Sequence, residues 1–336
     1  MSHSIYKPEE AKGVWVYLEH NGKELENVSL ELLNKGKELA KEAKEPLVGL
    51  IMGHNIESLA KEVYKRGAEE VIIADHPLLR KYTTDAFTQA AYQVVTSKKP
   101  NILLIGATPD GRDLAGRLAV KFKTGLSADC TNFEIKHKDN KPLLLSEVTG
   151  FGGGIAAMIA CEKDRPQMAT VRPGVFEQAK SNGSNSKTAT KIDIMIDEKS
   201  IRTQVIERKI GGEVDITKAK FLVVAGRGIA GNVNYINALA KAIGAEIGAT
   251  RVATDEGWIE KERMVGQTGV VTRPKVAIVC GVSGAMQFTV GIQNAETVVS
   301  INTDPEAPIF EASDYCVNAD LFQVLPPLIE ELKKVK

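Results

Sequence analysis

Short apolar runs alternate with amphipathic stretches along most of this chain, and that alternation confines it to the α/β class. VWVYLE (14–19) reads as a strand, and residues 27–43 as the helix behind it. LVGLIM (47–52) is followed by IESLAKEVYKRG, a helix stopped at Gly67. VIIAD (71–75), a helix near 83–97, NILLIGAT (101–108) and a helix from Gly111 to Lys123 continue the pattern. Apolar strands with helices between them make a parallel sheet covered on both faces. After about residue 127 the spacing tightens. ADCTNFEIK, PLLLSEV, IAAMIAC and QMATVRP read as closely spaced strands, an appended or antiparallel part of the same sheet.

Residues 178–191, QAKSNGSNSKTATK, lack large apolar side chains and read as a surface loop. Strand-like KIDIMID and IRTQVIERK follow, and a fresh α/β pattern starts after GGEVDITKAK. This places a boundary near residue 207. The expectation is an N-terminal parallel-sheet domain over 1–206 and a C-terminal doubly wound nucleotide-binding domain over 207–336. A chain of 336 residues is long enough to bury two cores. The second pattern runs through FLVVAGRG (221–228), a helix over 232–244, AEIGATR (245–251), KVAIVCG (275–281) and a helix start in SGAMQFTVGIQN. TVVSIN (297–302) and a closing helix in ADLFQVLPPLIEELKK complete it. Several of these strands end in Gly, Ser, Thr or Asn, where a doubly wound sheet presents its ligand crevice.

Composition narrows the function. Lys+Arg and Asp+Glu both total 43, and this neutral balance argues against a nucleic-acid-coating protein. Cys130, Cys161, Cys280 and Cys316 are too dispersed for a zinc or iron–sulfur site and read as reduced thiols. All five histidines fall at or before residue 137, so the C-terminal part has no imidazole for metal or acid–base chemistry. No run approaches the roughly 18 apolar residues of a membrane span. The acidic, non-apolar N-terminus carries no secretory signal, and the expected location is cytoplasmic. GxSxG, HExxH and Walker sequences are all absent. This inventory favours holding a cofactor over converting a substrate.

AGRGIAG lacks the third glycine of GxGxxG, so its glycines read as a sharp strand–helix turn, with Arg227 at the crevice mouth as the feature to explain. In CGVSGAMQ a strand delivers Ser283 and Gly284 to a helix start, which suits a diphosphate as readily as a plain N-cap. Asn302 and Asp320 are open in the same way, to adenine or ribose or to capping. ATR (249–251) and VGQTG (265–269) add an arginine, a glutamine and hydroxyls suited to a ring with several heteroatoms.

GRG, ATR, VGQTG, GVSGAMQ, INTDPEAPIF and ADLF, in this order, resemble the FAD-binding domain of electron-transfer flavoprotein alpha subunits. NTDPEAPIF and VGQTG are the most specific pieces. GATPDGRDLAGRLAVKFKTGLSADCT and TVRPGVF carry the resemblance into the first half. It implies an electron carrier with one FAD in the C-terminal domain and no substrate chemistry of its own. The implied flavin-lining residues are Arg227, Thr250, Arg251, Val265, Gly266, Gln267, Thr268, Ser283, Gly284, Ala285, Met286, Gln287, Phe288, Asn302, Asp320 and Leu321. Within that set Arg251 lies against the ring, Thr268 near N5, Ser283 and Gly284 on the diphosphate, and Asn302 and Asp320 at the adenosine end. The implied partners are a beta subunit, carrying AMP or a second FAD, and an acyl-CoA or other flavin dehydrogenase or quinone reductase. Phe288 stands where better-known members have histidine, which suggests a retuned flavin and inclines the reading to electron bifurcation over a simple carrier. The reading from another class is an adenine-nucleotide module without redox activity, against which Arg251 and VGQTG count.

Overall fold

The computed structural model describes residues 5–139, 141–150, 155–181, 187–206 and 216–334. These form two compact units, one drawn from 5–150 and 156–206 and the other from 155 and 216–334. The boundary expected near residue 207 lies outside the described residues.

The first unit opens with β1 (Val14–Tyr17), α1 (Asn27–Ala43), β2 (Leu47–Gly53), α2 (Glu57–Lys65) and β3 (Glu70–Asp75). It continues with α3 (Thr84–Lys98), β4 (Ile102–Gly106), α4 (Pro109–Phe122) and β5 (Leu126–Cys130). Then come β6 (Asn132–Lys138), β7 (Lys141–Gly150), β8 (Ile155–Ala160), β9 (Gln167–Val171) and β10 (Thr190–Lys191). Seven strands form a parallel sheet in the order β10-β3-β2-β1-β4-β9-β5. The residues of β1 show why both faces are covered. Val14 and Val16 enter one hydrophobic cluster while Trp15 and Tyr17 enter another, as the two-residue period of a strand demands. Phe122, Leu32 and Leu33 are fully buried on the helices that cover the sheet.

Two expectations need correction here. The closely spaced strands do not extend one sheet. β5 and β9 join the parallel sheet, and β6, β7 and β8 form a separate three-stranded one with β6 and β7 antiparallel. The second correction concerns KIDIMID and IRTQVIERK. Only Thr190–Lys191 pairs as a strand, and residues 192–197 and 201–206 have no regular structure. The alternation in KIDIMID is real, since Ile192, Ile194 and Ile196 all pack on one cluster. The partner, however, is a helix. Gln93 of α3 bonds both N–H and C=O of Met195 (3.0 and 2.7 Å), and Gln89 accepts from Asp197 N–H (2.9 Å). Asp85 holds Arg202. Positions 85, 89 and 93 lie one turn apart on a single helix face, so their side chains substitute for a neighbouring strand.

The second unit contains β11 (Phe221–Ala225), α5 (Val233–Ile243), β12 (Glu246–Ala249), the short α6 (Arg251–Asp255) and β13 (Val276–Cys280). It ends with α7 (Met286–Thr289), β14 (Val298–Asn302), β15 (Tyr315–Asn318) and α8 (Leu321–Lys334). Its five strands run parallel in the order β12-β11-β13-β14-β15. Val223 and Ala225 face one cluster, and Leu222 and Val224 the other. The strand order reverses between β11 and β13, so the connection after β11 packs on one face of the sheet and that after β13 on the other, and a crevice opens at their carboxyl ends. Both units therefore have the α/β, parallel-sheet architecture that the sequence pattern demands.

Candidate functional site

The turns after β11 and β13 meet over two glycines. Gly226 N–H donates to Cys280 O and Gly228 N–H to Gly281 O, each at 2.9 Å. A Cβ on Gly226 would run into the Gly281 carbonyl, and one on Gly228 would lie 2.7 Å from Gly281 Cα. The glycines of GRG thus serve the approach of one backbone to another. Arg227, between them, is exposed and faces the crevice.

The cavity at this place has a volume of about 350 Å³. Arg227, Thr250, Arg251, Val265, Gly266, Thr268, Ser283, Ala285, Gln287, Phe288 and Asn302 line it, each from the set expected from sequence. Val252, Met264, Gly281 and Val282 line it as well. Gly281 and Val282 open GVSGAMQ and Val252 and Met264 flank ATR and VGQTG, and their chemistry, apolar or absent, gave no separate signal. Gln267, Gly284, Met286, Asp320 and Leu321 are not in the lining. Leu321 is buried, and a Cβ added to Gly281 would lie 3.0 Å from its Cδ2. Asp320 Oδ1 accepts from Phe322 N–H at 2.9 Å, an ordinary cap at the start of α8.

Each wall has a local cause. Thr250 precedes α6 with extended backbone and makes no side-chain cap bond, which leaves its hydroxyl free. Arg251 opens α6 with its side chain 76% exposed, and among the described residues only its Nε is engaged, 3.4 Å from Asp255 Oδ2. The loop from Val265 to Val270 is pinned at its ends. Val265 N–H donates to Ala249 O (2.8 Å), and Gln267 N–H donates to Gln287 O (2.7 Å). Gly266 has φ +140°, and a Cβ there would lie 2.6 Å from Gln287 O. Thr268 is carried exposed at the tip. Phe288 is buried against Val265, Val282 and Ile309, so it closes the floor as core.

The turn after β13 is fixed by two left-handed glycines and by bonds to its carbonyls. Gly281 and Gly284 have φ of +63° and +91°, and a Cβ on Gly284 would collide with the backbone of Ile309. Asn302 Nδ2 donates to Val282 O (2.8 Å), and Ile309 N–H donates to Ser283 O (3.0 Å). The N–H groups of Ser283 and Gly284 have no partner among the described residues.

Electrostatically the lining offers two guanidiniums and no carboxylate. Below it, burial pushes the Cys280 thiol up to about 12, so no thiolate is available there. Among the described residues no group of His, Cys, Asp and Glu could hold a metal, and no helix is long and apolar enough to cross a membrane. An apolar floor, cationic mouth and free backbone donors together suit a flat heteroaromatic ring joined to an anionic tail.

Residues 14–196 match the family model described as electron transfer flavoprotein domain, and residues 215–293 the one described as electron transfer flavoprotein FAD-binding domain. The chain is 42% identical over 329 residues to an electron transfer flavoprotein subunit alpha of Thermoanaerobacterium thermosaccharolyticum, covering 97% of this chain and 99% of that one. It is 36% identical over 354 residues to the acryloyl-CoA reductase electron transfer subunit beta of Anaerotignum propionicum, covering 97% and 96%. To the lactate dehydrogenase (NAD(+),ferredoxin) subunit LctC of Acetobacterium woodii it is 34% identical over 331 residues, covering 95% of this chain and 76% of the relative.

Proposed function

The chain belongs to the electron-transfer flavoprotein family as an alpha-type, FAD-binding subunit, and from that premise we propose that the crevice between β11 and β13 holds its FAD and that the protein relays electrons without converting a substrate. The observation that carries this reading is convergence. Residues from five separate motifs, scattered over 227–302, line one cavity whose lining has two arginines and no carboxylate.

The bound FAD would supply reversible uptake and release of electrons. The protein's part is placement and charge. Arg251 offers four N–H donors beyond the one turned to Asp255, and a guanidinium stays charged at any relevant pH, so it favours negative charge on a reduced ring. Thr268 and Thr250 would offer their hydroxyls to the ring, and Phe288 with Val265 would keep water from it. Ser283 and Gly284 hold the diphosphate through their unpartnered N–H groups. Arg227 adds charge at the mouth. Gln267, Ala285, Met286 and Gln287 frame the ring side, while the Asp320 side chain caps α8 and Leu321 is buried beneath the turn. We assign residues 1–206 to contact with a second subunit of beta type and 207–336 to the cofactor.

A dehydrogenase partner is supported by relatives named for acryloyl-CoA reductase and lactate dehydrogenase. The bifurcating variant of the role is favoured by the relative named for both NAD(+) and ferredoxin and by an apolar residue, Phe288, in the cavity floor. One preparation tests these points together. The chain purified with its beta partner should be yellow, and the extracted flavin should be FAD. Two FAD per heterodimer fit the bifurcating variant, and one FAD with one AMP fits the simple carrier. Extraction of FMN, or a colourless complex, contradicts the FAD assignment.

A further inference from the structure

The segment 302–310, INTDPEAPIF without its first residue, has no generic fold role, yet it makes specific contacts with the turn after β13. Asn302 uses both ends of its amide inside the protein. Nδ2 donates to Val282 O at 2.8 Å, and Oδ1 accepts from Asp304 N–H at 3.0 Å. Seven residues on, Ile309 N–H donates to Ser283 O at 3.0 Å. The carbonyls of two consecutive residues are therefore tied to one segment. In a trans peptide the C=O of one residue and the N–H of the next point in opposite directions. Fixing the carbonyls of Val282 and Ser283 therefore fixes the N–H groups of Ser283 and Gly284 away from the segment, and these are the two groups without a partner among the described residues. Gly284 at φ +91° packs directly on the Ile309 backbone, so no side chain could be accommodated between turn and segment.

We propose that Asn302 is a positioning residue for the diphosphate of the cofactor, acting through the Val282 carbonyl, and not a ligand of the adenosine end. Asn302, the 304 turn and Ile309 N–H form a buttress that holds two peptide planes in the orientation that accepts an anion. This inference rests on the reading of the cavity as the FAD site.

The test uses the full chain with its beta partner, stripped of flavin, and follows competition against FAD rebinding by inorganic pyrophosphate and by adenosine. Asn302→Ala should weaken FAD and pyrophosphate by a similar factor, about tenfold, while adenosine competes as in the wild type. Asn302→Asp keeps the acceptor used by Asp304 N–H, loses the donor to Val282 and adds a negative charge against that carbonyl, so it should weaken pyrophosphate more than Asn302→Ala does. Loss of adenosine competition with pyrophosphate unchanged would overturn the proposal and make Asn302 a direct adenosine ligand. Unchanged binding of every probe in both variants would overturn it too. If pyrophosphate fails to compete even in the wild type, the diphosphate assignment of Ser283 and Gly284 falls, and this inference falls with it.

Discussion

Arg251 is held by a single contact, and that contact spares the part of its side chain that a ligand would meet. Its Nε faces Asp255 across one turn of α6, while its remaining donors have no partner among the described residues. The pair is exposed, so it adds little to stability. Arg251→Ala should therefore leave folding and FAD content near wild type. The first-electron potential should fall by about 60–130 mV, the equivalent of one charge-assisted contact. An unchanged potential by redox titration, with FAD bound, would show that another group carries that role. At this scale the sequence was readable wherever a residue type is rare in its setting: an arginine between two glycines, or a threonine–arginine pair at a strand end. It was ambiguous for residues with two ordinary uses. Asp320 has the chemistry of a ribose ligand and of a helix cap, and its side chain performs the second. Nothing in the single residue Asn302 announced that both ends of its amide are used internally.

Elements were legible where the apolar period was long and backbone-paired. The strands over 14–17, 47–53, 70–75 and 102–106 and their helices fall where alternation placed them. The exceptions are short, or are held by side chains. α6 has five residues and β15 is an exposed edge strand, so neither carries a strong pattern. Residues 192–202 carry a strand's alternation but receive their bonds from Gln93, Gln89 and Asp85, a device with no periodic signature in the segment itself. That device depends on pH. The Arg202 guanidinium beside Asp85 holds its carboxyl down at about 2, below the ordinary carboxylate range. A depressed folded pKa means the contribution is complete above the unfolded value near 3.9 and is lost as pH falls toward 2. Arg202 is largely exposed, so screening makes the effect small. Hydrogen exchange of amides 195–202 should accelerate between pH 4 and pH 2 in wild type, after correction for the intrinsic rate. Asp85→Asn should remove that step; a step of equal size in the variant would place its origin elsewhere.

For the whole molecule, repetition of one α/β plan gave the class, and the site followed from the rule that ligands gather where strand order reverses. The plan alone did not say which unit holds the cofactor. In the first unit the corresponding reversal lies between β1 and β4. There Glu19 accepts from the Thr108 hydroxyl at 2.7 Å, and Thr108 caps α4. A carboxylate of the chain itself thus stands where that crevice would present its anion site. In the second unit the N–H groups of Ser283 and Gly284 in the equivalent turn have no partner among the described residues, and the turn faces two arginines. The central claim is that this second crevice carries the FAD. Its most direct test is the molar ratio of FAD to polypeptide in the complex with the beta partner, for wild type and for Gly284→Val. A side chain at 284 meets the Ile309 backbone and a left-handed φ, so it must displace the turn. The account predicts that the variant assembles with its partner and loses one FAD equivalent relative to wild type. An assembled variant with an undiminished FAD ratio would contradict it.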